Sequence, residues 1–151
     1  MRANIWLLQA ASGAELDQED LQGCTSLYSA SCRTHVVAYL IGKGADVNRQ
    51  TASGVSPLFI AAQNGSHSSC ELLLGARGIE KDATDQSGRT ALHAASHSKH
   101  TSIVQLLVTA GCNASIAGQF GTAEQEAITY GDHDGIVKIL SGKSMSTSPR
   151  P

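Results

Sequence analysis

Residues 88–100, GRTALHAASHSKH, decide how this chain folds. Three histidines, His93, His97 and His100, stand there at i, i+4 and i+7. On one unbroken helix that spacing stacks three imidazoles along a single face, the arrangement of a metal site. The neighbouring residues point elsewhere. Thr90 precedes a short apolar run, where its hydroxyl can cap free helical amides. A polar break follows, and a second aliphatic stripe starts at Ile103. The stretch is therefore expected to be a capped helix, a turn and the start of another helix. His97 ends the first helix and His100 begins the second, so the three-histidine face does not exist, and no metal or cofactor is expected.

The same pattern recurs along the chain. Laid over the segment from Thr51, the segment from Asp85 places Gly88 on Gly54, Thr90 on Ser56, Leu92 on Leu58 and Ala95 on Ala61. Leu106 and Leu107 fall on Leu72 and Leu73. The turn glycines Gly23, Gly54, Gly88 and Gly121 lie 31, 34 and 33 residues apart. In each unit a hydroxyl residue (Thr25, Ser56, Thr90) opens a short helix rich in small residues, and Pro57 suits a first turn. A second helix carries the aliphatic stripe, and Gly44 and Gly111 stand where a left-handed residue ends it. One such pair cannot bury its own apolar face, whereas stacked pairs can.

Composition removes several functions. With 41% apolar and 16% charged residues the 151-residue chain can build a core, and its charge of −2 gives no electrostatic footprint for nucleic acid. One Trp, three Tyr and two Phe are too few for a base-stacking platform. No apolar run approaches the ~20 residues that span a bilayer, and the apolar core IWLL near the start is too short for a signal peptide. Cys24, Cys32, Cys70 and Cys112 show no ligand spacing and read as reduced thiols of a cytoplasmic or nuclear protein. No phosphate loop, nucleophile elbow or HExxH motif is present, so catalysis is not expected.

The motifs resemble those of the ankyrin repeat family. GRTALHAA is close to the family's T-P-L-H-x-A signature with Ala91 for proline, GVSPLFIAA keeps the Pro-Leu-x-x-Ala frame, and GKGADVN is similar to its helix exit. The resemblance implies an all-α solenoid of stacked antiparallel helix pairs with β-hairpin fingers. It also implies that His93 hydrogen-bonds within and between repeats. One ankyrin domain is expected over 1–140: a half repeat at 1–19 and repeats at about 20–50, 51–84, 85–117 and 118–140. Residues 141–151 are expected to form a disordered tail. The leading half repeat suggests a segment of a longer array.

Three departures stand out. The unit from Asp20 is two residues short, so either its first helix or its turn is clipped. The unit from Thr51 carries one extra residue around LGARGIEK, expected in its finger. The last unit puts Gln125 and Glu126, or after a one-residue shift Glu124 and Gln125, where Leu-His belongs. Either register loses the core leucine and fits a polar terminal cap.

By the same resemblance, the partner surface comprises the finger tips and the inner face of the first helices. Those positions are Gln50, Ala52, Ser53 and Val55; Gln63 and Asn64; Gln86, Ser87 and Arg89; His97 and Ser98; and Gln119, Phe120 and Thr122. The expected function is a monomeric, non-catalytic scaffold for another protein. A structural spacer within a longer array, or the regulatory segment of an enzyme such as a kinase or ubiquitin ligase, is the alternative. Asn48, preceded by Asp46-Val47 and by Leu40 eight residues earlier, resembles the finger asparagine modified by oxygen-dependent asparaginyl hydroxylases. Incubated with such an enzyme, the peptide carrying Asn48 should gain the mass of one oxygen; an unchanged mass rejects the assignment.

Overall fold

The computed structural model describes residues 16–130 and 134–142. Most of the expected half repeat, most of the expected tail and His133 lie outside the described residues. Eight helices are described, in four pairs: α1 (Ser26–Ala30) with α2 (Thr34–Gly42), α3 (Pro57–Gln63) with α4 (His67–Leu74), α5 (Ala91–His97) with α6 (Thr101–Thr109), and α7 (Ala123–Thr129) with α8 (Asp134–Leu140). Before α7 a small hairpin pairs β1 (Ala117–Gly118) with β2 (Gly121–Thr122). Thr25, Ser56 and Thr122 accept the backbone N–H of Tyr28, Phe59 and Gln125 at 3.2, 3.1 and 3.3 Å, so the hydroxyls cap their helices.

The first helices form one row and the second helices another. α3 packs between α1 and α5, and α5 meets α7; α2, α4, α6 and α8 follow the same order. Leu27, Leu58 and Leu92 hold the same place in three pairs, and all are buried. Each contributes on the order of 1.5–3 kcal/mol relative to exposure. Ala61, Ala62 and Ala95 are fully buried and let the first helices approach closely. The second row buries Val37 and Leu40, Cys70 and Leu73, Ile103, Val104 and Leu107, and Ile136. Burial pushes the Cys70 thiol up to about 12 and Cys112 to about 11, so neither is a thiolate at neutral pH.

The three departures acquire locations. α1 has five residues against seven in α3 and α5, while the three-residue turn after it is kept, so the helix is what is clipped. Contrary to the expectation above, the extra residue of the next unit does not lengthen the tip of its finger. It lies at the exit of α4, where the left-handed glycine is Gly78, three residues beyond the cap Gly75, rather than next to the cap like Gly44 and Gly111. In the last unit, capping fixes the shifted register: Thr122 Oγ1 accepts Gln125 N–H and Gln125 Oε1 accepts Thr122 N–H at 2.9 Å. Gln125 thus stands in the place of His93, and Glu124, half-buried, in that of Leu92.

The helix exits are joined by a repeated side-chain staple. Asp17 Oδ1 accepts Asp46 N–H, Asn48 Oδ1 accepts Glu80 N–H, and Asp82 Oδ1 accepts Asn113 N–H, each at 2.8 Å. Asn48 does more than the two aspartates, because its Nδ2 also donates to Gly78 O at 2.7 Å. An amide can accept one group and donate to the other, whereas an ionised aspartate can only accept. Asn48→Asp should lower unfolding free energy by about 1–2 kcal/mol, since a carboxylate would face the Gly78 carbonyl; an unchanged urea midpoint would contradict the staple.

At the turn between α5 and α6, Lys99 has φ 65°, the one described non-glycine residue in the left-handed region. Its counterpart between α3 and α4 is Gly65 at φ 76°. A side chain there costs roughly 1–2 kcal/mol, partly offset by the ~0.5–1 kcal/mol of extra unfolded-state freedom that glycine brings. Lys99→Gly should therefore stabilise the chain by up to about 1 kcal/mol in a urea titration; a lower midpoint would rule out strain at this turn.

Candidate partner-binding surface

Each finger begins as a closed turn. Asp20, Thr51 and Asp85 bond backbone to backbone with Cys24, Val55 and Arg89, and their side-chain oxygens accept a further N–H from the same residues. The turn glycine must be left-handed, at φ 74° for Gly23 and 79° for Gly54. It must also lack a side chain, because the next finger lies against it: a Cβ at Gly23 would sit 2.8 Å from Ala52 N. The fingers then form a ladder in which Ala52, Gln86 and Gln119 donate backbone N–H to Gln22, Ser53 and Ser87 carbonyls at 3.3, 3.1 and 2.8 Å. Strand pairing is confined, among the described residues, to the last finger, where Ala117 faces Thr122 and Gly118 faces Gly121.

The fourteen candidate contact residues separate accordingly. Ala52, Ser53, Gln63, Asn64, Gln86, His97, Gln119 and Phe120 are exposed; Gln50, Val55, Ser87, Arg89, Ser98 and Thr122 are half-buried. Two glutamines are tied to the frame. Gln50 Nε2 donates to Gly54 O and Thr84 O, and Gln86 Nε2 donates to Ala52 O at 2.8 Å. Thr122 caps α7, and Asn64 Nδ2 reaches Cys32 Sγ at 3.0 Å. Phe120 is free of such duties and 58% exposed at the last finger tip.

The three histidines of the opening stretch meet three different partners. His93 Nδ1 accepts Thr90 N–H at 3.1 Å, which leaves Nε2–H to donate to Gly121 O at 3.1 Å in the next unit. His97 meets Tyr130 edge to face, with ring centroids 5.4 Å apart. His100 turns back, its Nε2 3.1 Å from Gln63 O and its ring over Gly65. Among the described residues no three His, Cys, Asp or Glu groups are placed to hold a metal ion.

Arg89 organises the inner side. Its side chain lies across the first helices of three pairs, with the guanidinium 5.8 Å above the Phe59 ring of α3 and Nε 3.9 Å from Glu126 Oε1 of α7. Glu126 is 2% exposed, and neither of these two buried atoms makes a hydrogen bond. Phe59 and Glu126 lie buried beneath Arg89 and Tyr130 stands against His97, and none of the three was among the residues read from sequence. Glu126 was within reach of that reading: the capping pair Thr122 and Gln125 puts it in the place of Ala94, a buried inner position. Ile128 and Tyr130, 60% and 51% exposed, carry no comparable motif. On the other side, at the exits of α2 and α4, a groove of about 540 Å³ is walled largely by apolar residues such as Ile41, Val47 and Ala76.

Among the described residues no helix is long and apolar enough to cross a membrane. A stretch of 91 residues is 35% identical to human (Homo sapiens) transient receptor potential cation channel subfamily A member 1, covering 58% of this chain and 8% of the channel protein. The B-cell lymphoma 3 protein homolog of Mus musculus is 36% identical over 96 residues, 60% of this chain and 21% of that protein. The chain thus spans a small part of each relative's length. A family model described as ankyrin repeats in three copies matches residues 3–85 and 58–148. With four stacked helix pairs and a match over nearly its whole length, the chain belongs to the ankyrin repeat family.

Proposed function

We propose that the chain is a non-catalytic scaffold that binds another protein through its finger tips and the inner face of its first helices. Ankyrin repeats are generally protein–protein interaction modules. The observation that carries the proposal is Phe120, a large apolar side chain more than half exposed at a finger tip that is otherwise tied to its neighbour. Exposed aromatic residues and arginines are enriched at binding hot spots, and Phe120 and Arg89 stand on successive fingers. Cytoplasmic or nuclear residence and a monomeric state accompany the proposal, and the four free cysteines fit the first of these.

A spacer role within a longer array is the second proposal, favoured by the small fraction of each relative that the chain covers. Affinity purification with the wild-type chain and with a Gln86→Ala, Arg89→Ala, Phe120→Ala variant separates the two. The binding proposal expects a specific partner that the variant loses, because truncating a hot spot costs about 2 kcal/mol or more. Circular dichroism establishes that the variant is folded, which matters because Gln86 also ties two fingers. A folded variant that keeps the partner rejects this surface, and a wild type that recovers none favours the spacer.

A further inference from the structure

We propose that Arg89 is a preorganised receptor for a carboxylate on the partner, so that the binding surface selects an acidic peptide segment. The inference rests on the protein binding proposed above and names its chemistry.

One contact holds the backbone of Arg89 and three hold its side chain before any partner arrives. Asp85 Oδ1 accepts the Arg89 backbone N–H at 2.9 Å. The stem lies against Gly118, where a Cβ would approach Arg89 Cγ to 3.1 Å, so the small residue in the last finger leaves room for it. Phe59 forms the floor beneath the guanidinium, and Glu126 faces Nε from the side. Nε is therefore turned inward. The side chain keeps 22% exposure, and its two Nη groups have no hydrogen-bond partner among the described residues.

That arrangement leaves the end-on fork of the guanidinium unmatched. A planar fork with two parallel N–H groups fits the two oxygens of a carboxylate, which is the strong form of a charge-assisted pair. Glu126 does not fill this role: it is 3.9 Å away, on the Nε side, without a hydrogen bond. It fixes the orientation of the cation and counters its charge in the buried setting. Holding a long, flexible side chain in place beforehand also removes much of the entropy that binding would otherwise lose. Phe120, exposed on the adjacent finger, offers an apolar contact for a residue next to the acid.

The probe is an array of random synthetic peptides, each made with a free and an amidated carboxyl end and incubated with the full 151-residue chain. Binders are expected to share an Asp or Glu at one position, or to need the free carboxyl end; the two versions distinguish these sources. Replacing that acid by its amide, or amidating the end, should weaken binding tenfold or more. Arg89→Met keeps the stem over Phe59 but removes the fork, and should weaken binding by the same factor. Combining both changes should add little beyond either one. Binders that lack any acidic group and hold wild type and Arg89→Met equally overturn the Arg89 assignment while leaving protein binding intact. An array without binders overturns both. Should Arg89→Met fail to fold, Arg89→Lys, which keeps the charge but removes the planar fork, takes its place and should weaken binding likewise, while unchanged binding overturns the assignment.

Discussion

The longest helices described here have nine residues, and α1 has five. Helices that short are marginal in water, because the cost of nucleation is spread over few hydrogen bonds. The apolar face of each pair must therefore be covered by the next pair, and this requirement sets almost everything else. It places leucine at Leu27, Leu58 and Leu92, and alanine where helix meets helix at Ala61, Ala62 and Ala95. It also makes the joints between pairs matter as much as the pairs themselves.

Polar joints supplement the apolar ones at three heights. The finger ladder ties successive turns by backbone hydrogen bonds, and the carboxylate and amide staples tie successive helix exits. Between them His93 links Thr90 of its own unit to Gly121 of the next, using one ring nitrogen as acceptor and the other as donor. Its ring is 1% exposed, so a side chain unable to make both bonds would leave a buried polar group unsatisfied. Gln125, at the same position in the last unit, closes only the bond to its own cap, Thr122. The lower half of the joint is thus kept and its upper half is absent where no further described pair follows.

Surface left over from these duties is where binding can act. Several residues that look available in the sequence are engaged in the frame, Gln50 and Gln86 most clearly. Arg89 is intermediate, anchored along its stem and open at its tip. Phe120, Ile128 and Tyr130, three of the five large exposed hydrophobic residues described, all fall in the last unit. The exposed apolar surface described is therefore concentrated in the last unit.

The sequence by itself determined the helix pairs, their caps and the family, because these follow from local chemistry repeated at nearly constant spacing. Thr90, Leu92 and His93 state the pattern once, and the recurrence of Gly, a hydroxyl residue and Leu states it again. It also dissolved the apparent metal face, since Ser98 and Lys99 break the helix between His97 and His100. Tertiary structure alone decided matters that depend on side chains meeting across units. The clipping of α1 rather than its turn and the extra length between the α4 cap and Gly78 belong to the assembled units, whereas the register of α7 was set locally by the Thr122–Gln125 cap. The seat of Arg89 between Phe59 and Glu126, residues 30 positions before it and 37 after it, belongs to the assembled units too. Spacing along a chain shows that units will stack; which side chains then face each other depends on insertions and deletions of one or two residues, whose effects only the assembled stack resolves.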